Sequence, residues 1–456
     1  MLEAILKAKD PNRKMYGFRR GFQVWAMLNV ILCLLITVQK FGTAVGGFGW
    51  AMDYLIPISC IFQLLSGYSL FRIPVRFHVT GLILVMYYCY TIFNAMIVNR
   101  DIGRPVETSL GWQTTHVLCY LAVSLSISQA VYCGEEFRKW LKVAILLFFG
   151  FSGMVGFAQL AGIGWVKTMF QTDLVQTIYR PLGTTDYPSQ LGFQGFAGMI
   201  LCGAPIVRRN LKPIEWAGVI FFTLVILCAQ YRTMYYAGIV VGLGPIMFFQ
   251  FRRSVNMGIA LSTVVAIGIT IPLILFPQKF EYGLRPAAND PALQARQDSW
   301  KQLQPILKER PLTGIGADAT LMLGTKNIRQ DKWSKTVLDN LYVTIYACYG
   351  VIGLCFLTAI FVFIGASVLM RMSSTSASVY EWGIVGAISL TSILLVSLTG
   401  NSVILATVGY YFAFVLGAGA LTWKEEVLNA PVSDLIVAVR KSAQRAFTLF
   451  GTNARR

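Results

Sequence analysis

Residues 338–368 read LDNLYVTIYACYGVIGLCFLTAIFVFIGASV. After Asp339 the stretch contains no charged side chain. About 20 such residues already cross the hydrocarbon core of a bilayer as a helix. This run is longer than one span needs, so its first turns are expected to stand outside. Eleven further apolar runs flank it, at about 22–39, 49–70, 78–98, 112–132, 140–163, 187–207, 214–230, 233–251, 255–277, 382–400 and 402–422. The chain therefore reads as an all-α polytopic membrane protein of about twelve transmembrane helices. Composition agrees. Of 456 residues, 55% are hydrophobic and 13% charged, where a soluble domain carries about 25% charged residues. Residues 1–423 form one membrane domain, and 424–456 form a polar, basic tail with an amphipathic stretch near Leu435–Phe450, suited to the inner leaflet.

Loop charges set the orientation. Lys7, Lys9, Arg13, Lys14, Arg19 and Arg20 precede the first run. Every second loop after it is basic: Arg72 and Arg76; Arg138, Lys139 and Lys142; Arg208, Arg209 and Lys212; Arg252 and Arg253; Arg371; then Lys424, Arg440, Lys441 and Arg445. The positive-inside rule places all of these, and both termini, in the cytoplasm. The hydrophilic segment at about 278–337 then lies outside as one large loop holding short helices; long translocated loops escape the charge rule. In that loop Asp290 and Pro291 suit a helix start. Leu293, Arg296, Trp300, Leu303 and Leu307 share one helical face, and Pro305 kinks or ends the helix.

The net charge of +18 comes from 39 Lys+Arg against 21 Asp+Glu. Topology explains part of it, and attraction of an anionic substrate can explain the rest. No basic face of a soluble module is visible, so no nucleic-acid partner is expected. The nine cysteines lie in or beside apolar runs, without a Cys-x-x-Cys pair, and read as small hydrophobes. His78 and His116 are the only histidines, which argues against a histidine metal centre. The first twenty residues lack an apolar core, so no cleavable signal peptide is expected.

Four charged residues fall at or beyond the outer ends of runs: Arg180 before the sixth, Arg232 in the tight turn between the seventh and eighth, Arg296 on the loop helix, and Asp339 opening the tenth. Ionisable groups beside apolar helices are costly and often functional. Each also has a plainer reading. Arg180 suits a headgroup anchor, and Arg232 can snorkel to the interface. Arg296 can pair with Asp298, and Asp339 can cap its helix. Asp186 and Asp53 lie near other outer helix ends.

The order of these residues also resembles the O-antigen ligase and O-antigen polymerase superfamily of membrane glycosyltransferases. Arg180-Pro181-Leu182-Gly183, with Pro188 following, is similar to its Arg-x-x-Gly…Pro segment. Tyr231-Arg232-Thr233 resembles its Ser-Arg-Gly/Thr turn. Arg296 to Trp300, then Pro311-Leu312-Thr313-Gly314-Ile315-Gly316, resembles Arg-x-x-x-Trp…Pro-x-x-Gly-Ile-Gly. Asp339-Asn340-Leu341-Tyr342, then Gly350-Val351-Ile352-Gly353, resembles its His-Asn-x-x-Leu…Gly-x-x-Gly helix. The likeness covers about 175–355. One departure is that ligases carry His where this chain has Asp339, while some exopolysaccharide polymerases resemble it in having Asp-Asn; polymerase is therefore favoured and ligase kept as the alternative.

The resemblance implies an enzyme of the bacterial inner membrane whose site faces outward. Its donor would be an oligosaccharide on undecaprenyl diphosphate, and its acceptor a glycan hydroxyl. Arg232, Arg296 and Asp339 would be catalytic, the arginines serving the diphosphate and Asp339 the hydroxyl. Arg180, Arg285, Asp186, Trp300, Asn340 and Tyr342 would bind substrate. No metal or cofactor is required if arginines take the place of a divalent cation. A flippase and a chain-length regulator are conceivable partners beside membrane lipids. A lipid-linked sugar flippase is the rival class, but it would be expected to carry charges at the membrane midplane.

Overall fold

The computed structural model describes residues 16–38, 48–71, 73–75, 79–101, 113–170, 173–175, 178–185, 187–256, 258–259, 263, 304, 308, 310–316, 340–372, 374, 376–398, 406–422 and 425. The apolar runs form helices where they are described. These are α1 Tyr16–Ile36, α2 Phe48–Phe71, α3 Val79–Asp101, α4 Gln113–Cys133, α5 Glu136–Ala161 and the short α6 Gly164–Met169. After a hairpin come α7 Pro188–Gly203, continued by a 3-10 turn at Ala204–Val207, and α8 Pro213–Cys228. Next are α9 Arg232–Tyr236, a π-helical segment Ala237–Leu243 and α10 Gly244–Arg253. Then follow α11 Leu341–Met372, α12 Ala377–Val396 and α13 Ala406–Ala418. Among the described residues, six helices are long and apolar enough to cross a membrane, and five shorter apolar helices accompany them. The run at 255–277 and most of the segment at 278–337 lie outside the described residues. Gln304 and Lys308, on either side of Pro305, are both helical.

The hairpin is a small exception to the all-α expectation. Strands β1 Asp173–Val175 and β2 Ile178–Arg180 pair antiparallel, with Asp173 opposite Arg180 and Val175 opposite Ile178. Valine, isoleucine and tyrosine favour extended backbone in so short a connection, and helical periodicity has no room to register there.

α7 is buried nearly all round and packs along α8 and α5, making it the central helix. Phe193 of α7 meets the Tyr411 ring of α13 at 5.4 Å, and Phe149 of α5 meets the same ring at 6.2 Å. Polar side chains tie the outer helices. Gln63 of α2 accepts hydrogen bonds from Asn29 of α1 (2.9 Å) and Ser126 of α4 (2.6 Å), and Ser59 donates to Asn29 (2.7 Å). Such bonds between membrane helices contribute about 0.6–2 kcal/mol each.

The alternate basic segments gather at one end of the bundle. Gln23 reaches the Gly134 carbonyl, Gln129 the Ile73 carbonyl, Arg253 the Val207 carbonyl and Arg208 the Ser376 carbonyl. Two of the arginines read as loop charges are in fact inside. Arg138 is 2% exposed and Arg371 7%. Arg138 donates to the Ala418 carbonyl (2.9 Å), to the Ala420 carbonyl and to both oxygens of Glu425 (3.2 and 3.1 Å). Arg371 donates to the Leu416 carbonyl at 2.9 Å. A helix C-terminus leaves carbonyls without helical partners, and cations suit its negative dipole end. The end of α13 therefore supplies what two buried guanidinium groups need. Burial alone would raise the Glu425 carboxyl. Hydrogen bonds from Arg138, Ser376 and the Thr422 backbone N–H, together with the Arg138 charge, outweigh it and hold Glu425 down at about 2.

Candidate functional site

The other end of the bundle collects the motif residues that are described. Arg180 closes β2 and is half-buried. Behind it Pro181–Thr185 form a buried turn pinned by α5. Gln159 accepts from the Leu182 and Gly183 backbone N–H groups, both at 2.9 Å, and donates to the Gly183 carbonyl at 3.2 Å. Ser152 accepts from the Thr184 backbone at 3.1 Å. Pro188 then opens α7, where its missing N–H costs nothing. The Arg-Pro-Leu-Gly segment is thus fixed to the central helices on both sides.

Arg232 is the first residue of α9, in the turn from α8. The Tyr235 hydroxyl donates to the Leu227 carbonyl at 2.8 Å and clamps that turn. Beyond α9 the helix widens into the seven-residue π segment, a feature frequent at functional sites. Gln230, two residues before Arg232, is unusual in two ways. Its φ is +51°, the only positive φ outside glycine among the described residues, at a cost of about 1–2 kcal/mol. It is fully buried, and among the described residues neither Oε1 nor Nε2 has a hydrogen-bond partner; a buried polar group left so costs about 1–3 kcal/mol. Gln194 of α7 shares the second property, on a regular helix.

At the start of α11, Asn340 is the cap. Its Oδ1 accepts from the Tyr342 and Val343 backbone N–H groups (2.9 and 3.2 Å), and its Nδ2 donates to the Leu398 carbonyl (2.9 Å). The neighbouring Leu341 N–H donates to the Ser397 carbonyl at 3.0 Å. Tyr342 donates to the Leu394 carbonyl at 3.2 Å. Capping therefore belongs to Asn340, and Asp339 is not needed for it.

Ten residues in, α11 breaks at Gly350, with φ 63° and ψ −160°. At 1.5 Å per residue this is about 14 Å below Leu341. Broken backbone at membrane depth is tolerated only where protein or a water-filled cavity satisfies it. Here the segment Arg310–Gly316 does so. Ile315 and Gly316 donate to the Ala347 and Cys348 carbonyls at 2.8 and 3.0 Å. In return Val351 and Ile352 donate to the Pro311 and Leu312 carbonyls at 2.9 and 3.3 Å. From α3, Asn94 donates to the Thr313 carbonyl (2.6 Å) and Tyr90 to the Tyr349 carbonyl (2.8 Å). Only glycine fits at the crossing. A Cβ on Gly350 would lie 2.2 Å from the Leu312 oxygen, and one on Gly314, at φ +70°, 2.5 Å from the Ala347 oxygen. The Pro-x-x-Gly-Ile-Gly and Gly-x-x-Gly segments are therefore two halves of one joint.

Arg180, the Arg232 turn and Asn340 share this end of the bundle, linked through α7, α9 and α12. Asp339, Arg296, Arg285, Asp186 and Trp300 lie outside the described residues, as does the Arg232 side chain. Sequence reasoning did not single out Gln159, Asn94, Tyr90 or Gln230. A polar residue within an apolar run was the available signal for the first two. Among the described residues no group of three or more His, Cys, Asp or Glu is placed to hold a metal ion. Residues 217–358 match the family model described as O-antigen ligase. The match contains Arg232, Arg285, Arg296, Trp300, the 310–316 segment, Asp339, Asn340 and Gly350, and leaves out Arg180 and Asp186. No curated protein matches the chain.

Proposed function

We propose, from the match of residues 217–358 to the family model described as O-antigen ligase, that the chain is a polymerase of undecaprenyl-diphosphate-linked oligosaccharides. It works at the outer face of the bacterial cytoplasmic membrane, within a bundle of about twelve spans whose basic end and termini are cytoplasmic. The joint between Arg310–Gly316 and α11 carries the reading. It gives two family-like motifs one structural purpose, fastening the end of the large segment that bears Arg296 and Trp300 to the helix that follows Asp339 in sequence.

In the reaction the acceptor hydroxyl oxygen attacks the anomeric carbon of the donor sugar. The bond from that carbon to the diphosphate oxygen breaks, and undecaprenyl diphosphate leaves with its charge. Arg232 and Arg296 hold that charge, with Arg180 and Arg285 extending the positive field. A guanidinium binds phosphate oxygens bidentately and stays protonated at any physiological pH. Fixed positive groups beside a developing charge lower the barrier by several kcal/mol. Asp339 takes the proton of the hydroxyl. No step requires a metal. Asp186, Trp300, Asn340 and Tyr342 line the substrate path. A flippase that delivers the lipid-linked unit and a regulator of chain length are the expected protein partners.

The match to O-antigen ligases favours ligation to a second glycan as the alternative; Asp339 in place of a histidine favours polymerisation. Purified protein supplied with only a lipid-linked repeat unit separates the two. Polymer without added acceptor is the expected result. A product formed only when a lipid-anchored core glycan is added would establish ligation, and none with either would remove the reading.

A further inference from the structure

Several buried glutamines in this bundle are put to use, Gln194 excepted. Gln159 uses both ends of its carboxamide on the turn behind Arg180, Gln63 both ends on α1 and α4, and Gln23 donates to two carbonyls. Gln230 is as deeply buried as any of them and uses neither end. It also stands in a left-handed conformation that glycine or asparagine would adopt with less strain. An apolar side chain would remove the first cost and a glycine the second, yet both persist two residues before Arg232. Strain and an unmet polar group coinciding at one position point to function.

Resting on the reading above, we propose that the Gln230 carboxamide binds hydroxyl groups of the donor sugar, next to the diphosphate held at Arg232. A carboxamide offers an acceptor oxygen and two donor hydrogens in one plane. Neighbouring hydroxyls on a sugar ring each donate and accept, so a vicinal pair complements both ends at once. The group is uncharged, which suits a sugar and not a phosphate. In the same turn the charge on the leaving group falls to Arg232, and recognition of the sugar to Gln230. Substrate binding supplies the two hydrogen bonds that folding leaves unmade.

The test uses purified full-length protein in detergent, with two probes: undecaprenyl diphosphate, and the same lipid carrying the producing cell's oligosaccharide. Gln230→Met keeps the length of the side chain and removes both polar ends. It is expected to melt at or above the wild-type temperature without ligand. Its affinity for the glycan-bearing probe should fall about tenfold, as lost hydrogen bonds to sugar predict, while its affinity for undecaprenyl diphosphate stays the same. Gln230→Asn, which tolerates the left-handed backbone, is the second variant. It should fold and lose part of the same preference, because its carboxamide stops one methylene short. An unchanged glycan preference in either variant overturns the proposal. So does an equal loss for both probes with lower stability, which would mark a structural residue. A wild-type protein that binds neither probe overturns the functional reading itself, and the proposal with it.

Discussion

Arg138, at the basic end of the bundle, and Gln230, at the opposite end, are both buried polar side chains in a protein made mostly of apolar ones. Each nitrogen of the Arg138 guanidinium has a partner in the end of α13 or in Glu425. Neither end of the Gln230 carboxamide has any among the described residues. Polar groups at the first end close the bundle on itself. The second end also fastens backbone, through the joint at Gly350, but it keeps polar groups in reserve within the turn that carries Arg232. Held against each other, the two regions separate residues whose work ends with folding from residues whose work begins after it. The first kind should cost stability when changed, the second activity.

The largest stability effect is expected at Arg138. Arg138→Met fits the space but leaves Glu425 and two carbonyls without the guanidinium. Breaking a buried ion pair costs about 3–5 kcal/mol, so unfolding in detergent should show a loss near that size. Activity per folded molecule should stay close to that of the wild type. Low activity in a fully folded sample would mean that the two ends are coupled and the division is wrong.

A somewhat smaller effect is expected at the joint. Gly350→Ala puts a Cβ against the Leu312 carbonyl in a conformation confined almost to glycine. Strain of that kind costs about 1–3 kcal/mol, and the Arg310–Gly316 segment should come free of α11. Faster proteolysis near Arg310, with α11 still inserted, is the expected observation. An unchanged proteolysis rate would show that the joint does not hold the segment.

The smallest effect concerns acid. Glu425 is held at about 2, below its ordinary 4.5. A lowered carboxyl stabilises the fold above its unfolded value and loses that contribution as pH falls through the folded one. The wild type should therefore outlast Glu425→Gln at neutral pH, and the difference should shrink between about pH 4.5 and pH 2. A difference that does not change over this interval would separate the stability of the latch from the charge of Glu425.

Much of the helical layout could be read directly. Apolar runs of membrane length are a strong signal, and where the residues are described each run contains a helix. The run ends also put Arg180, Arg232, Arg296 and Asp339 on one side of the membrane; Arg180 and the backbone of Arg232 are the two of these among the described residues, and they lie at one end of the bundle. Other features left no trace in periodicity. The joint is made by backbone groups of segments that lie some way apart in sequence, and side-chain pattern does not record such bonds. Asp339 and Asn340 are both good caps, so only geometry could assign the cap to Asn340. Arg138 looked like one more loop charge because its partners, the carbonyls of α13 and Glu425, are nearly 290 residues away. The hairpin before Arg180 and the π segment after Tyr236 are too short to alter an apolar pattern.

Asp339 offers the most direct test of the division between the two ends. Asn340 makes the cap of α11, so Asp339→Asn should leave stability unchanged while removing the charge and nearly all the basicity. General-base catalysis contributes roughly 10²–10⁴-fold. The measurement is polymer formed from lipid-linked repeat units by Asp339→Asn, at matched expression and melting temperature. The account predicts a loss of at least about 10²-fold in a protein that melts with the wild type. Full activity in the Asn variant would contradict it.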